Sequence, residues 1–453
     1  MDARRRQPSF SPETLAAILA GLPPVTRWWL AYSGGCDSHV LLHAAAQLKN
    51  DGRLPAFHAV HVDHGLQSAS AAWAQHCAAV CHELAIPFTL LRIDARPETG
   101  ESPEAAARHA RYRAIAALMT DGDCLLTAHH QDDQAETLLL QLLRGGGPHG
   151  LAAMPAVAAF AAGIHARPLL SFSRAELRDY ARQQRLQWID DPSNVDTGFD
   201  RNYLRESVMP LLRERWPALA RVLSRSAIHQ AEAAQLLDDL AAEDLQHCRL
   251  EDHSLSIAAL SALNAARQRN TLRYWLKGLG FKLPDTMRLA QLQQDVLHAA
   301  PDRRPEVQWE GVTVRRYRDR LYASRPQPPP DSALVMPWDI DRALRLPDGT
   351  TLSAVPVRGE GVKTALCRQQ PVTVRYRQGG EECQPGPRAA TRPLKKLLQE
   401  AGVPPWEREM LPLIYVGDRL AAVAGYWVCA PCQASDGEDG LHIVVQPPSA
   451  DGN

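Results

Sequence analysis

The sequence predicts an α/β protein: a Rossmann-like parallel sheet with helices on both faces, followed by a helical domain and a small β-rich C-terminal domain. Three observations predict it. Between Val25 and Trp216 short apolar runs alternate with longer amphipathic stretches, as successive βα units do. Residues 217 to about 300 are rich in Leu, Ala and Gln with almost no β-branched runs. After Arg325–Pro330, which carries four prolines and reads as a semi-rigid linker, the apolar runs become short and strand-like.

The elements follow in order. Ser11-Pro12-Glu13 marks a helix start. Trp28–Ser33, Ala56–Asp63, Phe88–Ile93 and Cys124–His129 are strand candidates, and Asp37–Gln47, Ala69–Leu84, Pro103–Met119 and Asp132–Arg144 carry apolar positions at helical spacing. Strands separated by helices pair in parallel, and such sheets bind ligands beyond the carboxyl ends of their strands. Ser173-Arg174-Ala175-Glu176 is a capping box opening another helix, which Asp190–Asn194 breaks. Val307–Ala323 alternates like a hairpin around Glu310-Gly311. Strands are expected at Leu352–Val357, Val372–Tyr376, Leu413–Val416, Leu420–Val428 and His442–Gln446, with a helix near Arg392–Ala401. The expected division is 1–216, 217–324, a linker at 325–330, and 331–453.

The 453 residues hold 50 Lys+Arg against 51 Asp+Glu, a formal net charge of -1. That excludes a globally basic nucleic-acid binder, so an anionic partner has to be held by local patches. Nine scattered cysteines, an odd count, fit a reduced, cytoplasmic setting. Cys429-Ala430-Pro431-Cys432 has metal or redox spacing but stands alone, and reads as two ordinary cysteines at a strand end. The apolar run Leu15–Leu22 is too short for a secretion signal, and Ala152–Ala162, interrupted by Pro155, is too short to span a bilayer. No membrane or export segment is expected.

Ser33-Gly34-Gly35-Cys36-Asp37-Ser38 directly follows the first strand and opens a helix. Paired glycines let backbone amides approach a polyphosphate, two hydroxyls add donors, and the helix dipole favours negative charge. Asp37 would repel phosphate unless a divalent cation lay between them, so the loop implies Mg²⁺. Neither a Gly-Lys-Ser/Thr ending nor three-glycine dinucleotide spacing is present. The loop resembles that of the PP-loop ATP pyrophosphatases, which cleave ATP between the α- and β-phosphates and adenylate a carbonyl-type oxygen.

Further motifs lie at later strand ends. His61–Leu66 closes the second strand, and Ala128–Thr137 closes the fourth and enters a helix on which Asp132, Asp133 and Glu136 cluster. Such carboxylates suit a cationic amine or a metal. His61, Asp63, His64, His129, His130, Asp132 and Asp133 could form a dinuclear phosphoesterase site, but that chemistry has no need of the Ser33–Ser38 loop. His61 and His64 also fit simple strand-end caps, and no direct chemistry is expected of His130. Arg108 and Arg111 share a helix face and, with Arg201 and Arg205, are natural partners for a leaving pyrophosphate.

With Arg144-Gly145, Leu151–Pro155, Asp191–Asn194 and Arg201–Arg205, this ordered set resembles the tRNA(Ile)-lysidine synthetase family over the first 215 residues or so. Pro393–Pro404 and Trp406 resemble the C-terminal domain of its longer members. The resemblance implies a PP-loop ATPase-type catalytic domain. It also implies adenylation of O2 of the wobble cytidine in the CAU anticodon of tRNA(Ile), then attachment of L-lysine at C2, with release of AMP and pyrophosphate and a change in codon reading from AUG to AUA. By motif position, Ser33, Gly34, Gly35, Cys36 as a spacer, Asp37 and Ser38 would hold ATP, with Asp37 on Mg²⁺. Asp133 and Glu136 would bind lysine, and Asp132 or Asp133 would take its proton. Arg108, Arg111 and Arg205 would stabilise developing phosphate charge, with His129 nearby. The rival within the wider fold is a PP-loop tRNA thiolation enzyme, which needs cysteines near ATP; an RNA-binding scaffold with a degenerate nucleotide site is disfavoured by the complete loop and carboxylate motifs. Oligomeric state is left open, a homodimer being one option.

A tRNA substrate needs basic surface. Arg315, Arg316, Arg318 and Arg320 fall in the hairpin, and Arg375, Arg377, Arg388, Arg392, Lys395 and Lys396 lie in a stretch whose only acids are Glu381 and Glu382. Tyr376 and Trp406 are expected to stack on bases.

Overall fold

The computed structural model describes residues 9–65, 69–94, 103–297, 299 and 305–447, and the chain forms two compact units, Met1–Ala241 and Ala242–Asn453. The predicted fold class is borne out.

In the first unit, helix α1 (Pro12–Ala20) begins at Ser11, whose hydroxyl and that of Thr14 cap each other's backbone. Strand β1 (Arg27–Ala31), helix α2 (Cys36–Asn50), β2 (Phe57–Asp63), α3 (Ser70–Glu83), β3 (Phe88–Arg92), α4 (Pro103–Ala116), β4 (Asp123–Leu126) and α5 (Gln131–Leu143) follow in strict alternation. After the short α6 (Pro148–Leu151) come β5 (Val157–Phe160), β6 (Gly163–Ala166) and α7 (Arg174–Gln183), capped by Ser173 and Glu176 as expected. The sheet order is β3-β2-β1-β4-β6-β5, with only β5 antiparallel. Leu30 pairs with Ala59 on one side and Leu126 on the other, so β1 is central and buried on both faces. Leu30, Leu41, Leu42 and Leu48 are fully buried, each stabilising the fold by about 1.5–3 kcal/mol.

The chain leaves β1 toward β2 and later returns to place β4 on the other side of β1. The crevice beyond these two strands is the point where such sheets bind ligands. The hairpin β5–β6 is not expected from sequence: its Ala-rich stretch is poor in strand-forming residues, and pairing with β4 supplies what propensity does not. Beyond α7 a 3₁₀ turn (Pro192–Val195), α8 (Asp200–Tyr203), a π turn (Leu204–Val208) and α9 (Met209–Arg215) precede the 30-residue helix α10 (Leu219–Cys248).

The second unit contains the expected helices α11 (Ile257–Ser261), α12 (Ala265–Gly278) and α13 (Thr286–Gln291), and a short strand β7 (Leu255–Ser256). The predicted hairpin is β8 (Glu306–Trp309) with β9 (Val312–Tyr317), extended by β10 (Arg320–Ser324) and closed by β7. The C-terminal strands are β11 (Val335–Pro337), β12 (Leu344–Arg345), β13 (Thr351–Arg358), β14 (Val362–Lys363), β15 (Val372–Arg375), β16 (Glu382–Cys383), β17 (Arg392–Pro393), β18 (Leu413–Val416), β19 (Arg419–Val423), β20 (Trp427–Val428) and β21 (Asp439–Gln446), with helices α14 (Thr364–Gln369), α15 (Leu394–Glu400) and α16 (Pro405–Arg408).

Three expectations are corrected here. Cys429 does not stand beside Cys432 as an ordinary thiol: it is disulfide-bonded to Cys383, while the other seven cysteines are free. The hairpin arginines are not all free at the surface, although Arg318 and Arg320 stay exposed. Arg316 is buried and donates to the carbonyls of Leu297 (3.0 Å) and Ala299 (2.8 Å), Arg315 pairs with Glu306, Arg318 donates to the carbonyl of Gln399 and Arg320 pairs with Asp252. Tyr376 is buried and not open to a base, whereas Trp406 is half-buried, engaged edge-on by Tyr317 and Tyr322 with Arg315 over one face.

Candidate active site

The loop after β1 is built by its glycines. Gly34 sits at φ +85°, where a Cβ would approach Ile189 Cδ1 to 2.7 Å and Cys77 Sγ to 3.0 Å. Gly35 is the N-cap of α2. Ser38 Oγ accepts from the backbone NH of Ser33 at 3.2 Å and lies 3.0 Å from Ser33 Oγ, closing the loop on itself. One oxygen of Asp37, Oδ1, is buried with no partner among the described residues; the other lies 3.4 Å from His130 Nε2. An orphaned carboxylate oxygen beside a phosphate-binding turn fits a hard divalent cation, which takes one or two protein carboxylates and completes its shell with phosphate oxygens.

The loop opens into a cavity of about 530 Å³ lined by Ser33, Gly35–Ser38, His61–Gly65, Arg108, Arg111, Thr127–His129, Asp190, Asp191 and Arg205. Leu66 lies outside the described residues, as do the side chains of Ser193 and Asn194. Cys36 lines the cavity as a spacer would, and burial, then Asp37, pushes its thiol up to about 11. His61 donates Nδ1–H to the carbonyl of Tyr32 at 2.8 Å, a strand-end cap. His64 is more than a cap: its Nε2 accepts from Arg111 Nη2 at 2.8 Å, and burial followed by that guanidinium holds its pKa down to about 4. Arg108 stacks on the ring of Tyr112.

The carboxylates of α5 are divided. Asp132 is turned to other work: it accepts from the backbone NH of Arg174 at 2.8 Å and is paired with Arg213, and none of Asp132, Asp133 and Glu136 itself lines the cavity. Asp133 and Glu136 stand behind Arg205, which pairs with both, as does Arg201. Burial alone would raise the Asp133 pKa, but His130, Arg201 and Arg205 outweigh it and hold the carboxyl well below its ordinary range. His130 caps α5, its Nδ1 accepting from Asp133 NH while Asp133 Oδ2 accepts from His130 NH. Burial alone would lower its pKa, but Asp133, Asp37 and Asp132 raise it. The residue without expected chemistry therefore bridges the loop aspartate to the α5 carboxylates.

Sequence reasoning missed His165 and Arg167 at the end of β6, which hydrogen-bond toward Thr127 and His129. Polar residues after a strand were the signal, hidden because β6 itself was. Among the described residues no group of three or more His, Cys, Asp or Glu could hold a metal ion, so the dinuclear arrangement is not formed. Cys77 and Cys81 are buried thiols raised to about 12 by desolvation.

A switch-point crevice and a glycine-serine phosphate loop define an ATP-using PP-loop domain, and the PP-loop domain family matches residues 12–212. The TilS substrate binding domain matches 255–322 and the TilS substrate C-terminal domain 372–445. Curated tRNA(Ile)-lysidine synthases are similar end to end: that of Coxiella burnetii is 44% identical over 97% of this chain and 97% of its own length, and that of Methylococcus capsulatus 42% over 95% and 98%. The enzyme from Pseudomonas fluorescens is 43% identical over 92% and 93%. The chain belongs to the tRNA(Ile)-lysidine synthase family, and is an ATP-using, carbon–nitrogen bond-forming ligase of tRNA modification. The thiolation and phosphoesterase alternatives are not favoured.

Proposed function

We propose that this cleft binds ATP with Mg²⁺, adenylates O2 of the wobble cytidine in the CAU anticodon of tRNA(Ile), and joins L-lysine to C2 through its ε-amine. In the first step O2 attacks the α-phosphorus and pyrophosphate leaves. In the second the amine attacks C2, the C2–O2 bond breaks, AMP departs with O2, and the ammonium's extra proton passes to a base. The observation that carries the reading is that Arg205, which lines the phosphate-loop cavity, also pairs, together with Arg201, with Asp133 and Glu136.

Ser33, Gly34, Gly35 and Ser38 would hold the phosphates, and the unpartnered Asp37 oxygen would take Mg²⁺, which neutralises phosphate charge when bound. Arg108, Arg111 and Arg205 would meet the pyrophosphate. Lysine would be received at Asp133 and Glu136. With His130, Arg201 and Arg205 around it Asp133 is a poor base; drawn toward the leaving anion, Arg205 would remove one of these cations and make the carboxylate a better acceptor for the amine proton. Asp132, committed to Arg174 and Arg213, is left out of this role.

The proposed division of labour is catalysis in residues 1–216, substrate binding in 217–324 and tRNA contact in 331–453, joined by 325–330. The cytoplasm, where tRNA and ATP meet, is the proposed compartment; no described helix is long and apolar enough to cross a membrane. The test is transfer of radiolabelled lysine to an unmodified CAU-anticodon tRNA(Ile) with ATP and Mg²⁺. Folded protein that leaves the tRNA unlabelled would overturn the proposal.

A further inference from the structure

Behind the cavity wall a line of hydrogen bonds runs from Arg167 to His129. Arg167 Nη2 lies 3.0 Å from His165 Nδ1, His165 Nε2 lies 2.8 Å from Thr127 Oγ1, and Thr127 Oγ1 lies 2.8 Å from His129 Nδ1. A guanidinium only donates, so His165 Nδ1 has to accept. The proton of the neutral His165 ring is then on Nε2 and is donated to Thr127. The hydroxyl has no acceptor other than His129 Nδ1 for its own single hydrogen among the described residues, and offers it there. The His129 proton is left on Nε2, the nitrogen with no hydrogen-bond partner among the described residues, on a ring that lines the cavity. Both rings are held neutral, each depressed to about 3: burial is the largest cause at each; at His129 Asp133 pulls the other way, more strongly than any one cation, but burial together with Arg167, Arg108 and Arg201 outweighs it, and at His165 Arg167 adds to burial.

We propose that Arg167, His165 and Thr127 are positioning residues that lock His129 in its Nε2–H tautomer, making it a neutral hydrogen-bond donor to an acceptor oxygen of the bound substrate and not a base. That the oxygen belongs to the adenylated cytidine or its phosphate rests on the function proposed above; the tautomer does not. A fixed donor aimed where negative charge develops costs no reorganisation at the moment of reaction.

The first test is long-range ¹H–¹⁵N correlation NMR on the histidine-labelled full chain near neutral pH, with the His129→Gln variant identifying the signals. A protonated Nε2 and a bare Nδ1 at His129 are expected; an Nδ1–H tautomer or a cationic ring would overturn the proposal, whether or not lysine is transferred. The second compares Thr127→Val, which keeps the volume and loses the hydroxyl, with Thr127→Ser, which does the reverse. Valine is expected to lower kcat for lysine transfer at least about tenfold with the KM for lysine little changed, and serine to restore it. A serine variant as impaired as the valine one, or a fully active valine variant, would overturn it. Should Thr127→Val fail to fold, His165→Phe breaks the same line, and retention of the wild-type His129 tautomer and rate in that variant would count equally against it.

Discussion

Arg205 grips both oxygens of Glu136, Nε on Oε1 and Nη2 on Oε2, each at 2.8 Å, and the same Nη2 reaches Asp133 Oδ1 at 3.1 Å. Glu136 is 2% exposed. Removing one partner of such a pair strands the other charge, at a cost of about 3–5 kcal/mol. Glu136→Ala is therefore expected to lower Tm markedly. Glu136→Gln keeps an acceptor for Arg205, so its Tm should change less, while the KM for lysine rises at least about tenfold because one of two carboxylates for the ammonium is gone. Steady-state kinetics with each substrate varied decides it: a KM for ATP that rises as much as that for lysine would remove Glu136 from the lysine site.

Elements are legible in the sequence where local pattern and tertiary setting agree. The β1–loop–α2 unit has an apolar strand, glycines where the backbone needs them and a polar helix start, so both elements can be read and their starts placed to within one residue, the ends less closely. Strand β6 escapes because it reads Gly163-Ile164-His165-Ala166, with a single β-branched residue, and only pairing along β4 makes it a strand. His165 and Arg167 go unread with it. The charge pattern misleads for a different reason. Arginines that look like a nucleic-acid surface in sequence, such as Arg316, are engaged by carbonyls and carboxylates that the fold brings near, and composition does not reveal that pairing. The same holds for Asp132, whose partners Arg174 and Arg213 come from other elements.

Gly34 and Gly35 separate steric from chemical need. At Gly34 an added Cβ would meet the flexible end of Ile189, which can move, but φ +85° stays unfavourable for any L side chain, costing about 1–2 kcal/mol. At Gly35 the nearest atom to a Cβ is Ser33 Oγ at 3.5 Å, an ordinary contact. Gly34→Ala is expected to lower Tm by a few degrees and weaken ATP binding at least about tenfold, while Gly35→Ala leaves Tm unchanged. Calorimetric melting and ATP titration check both; an unaltered ATP affinity in Gly34→Ala would contradict the loop assignment.

Arg316 and Lys395 are expected to behave oppositely although both are basic residues of the second unit. Arg316 is 8% exposed and holds four carbonyls, those of Val296, Leu297, Ala299 and Arg318, so Arg316→Ala should cost about 2–3 kcal/mol of stability. Lys395 is exposed on α15. Lys395→Ala should leave Tm alone, weaken tRNA binding and reduce the dependence of log K on log salt by about one. Denaturant melts and filter binding at several salt concentrations distinguish them, and a Lys395→Ala variant with unchanged affinity and salt slope would remove that lysine from the tRNA surface.

Stability should fall on mild acidification because buried histidines are kept neutral. His39, 5% exposed, is depressed to about 4, and His165, 3% exposed, to about 3, burial being the largest cause at each, against an ordinary value of 6.5. Between those values the unfolded chain binds protons that the folded chain refuses. Their contribution is therefore complete above pH 6.5 and is lost as pH falls from there, by up to about 1.4 kcal/mol per pH unit for each group. His130, whose pKa is raised, acts in the opposite sense: its contribution is complete below 6.5 and is lost as pH rises through its folded value. Asp133, held low, matters only below the ordinary carboxylate range. The depressed histidines outnumber the raised one, so Tm is expected to be lower at about pH 5 than at about pH 7 and His39→Leu to flatten that dependence. Equal Tm at the two pH values in the parent chain would show that these rings can take protons without unfolding it.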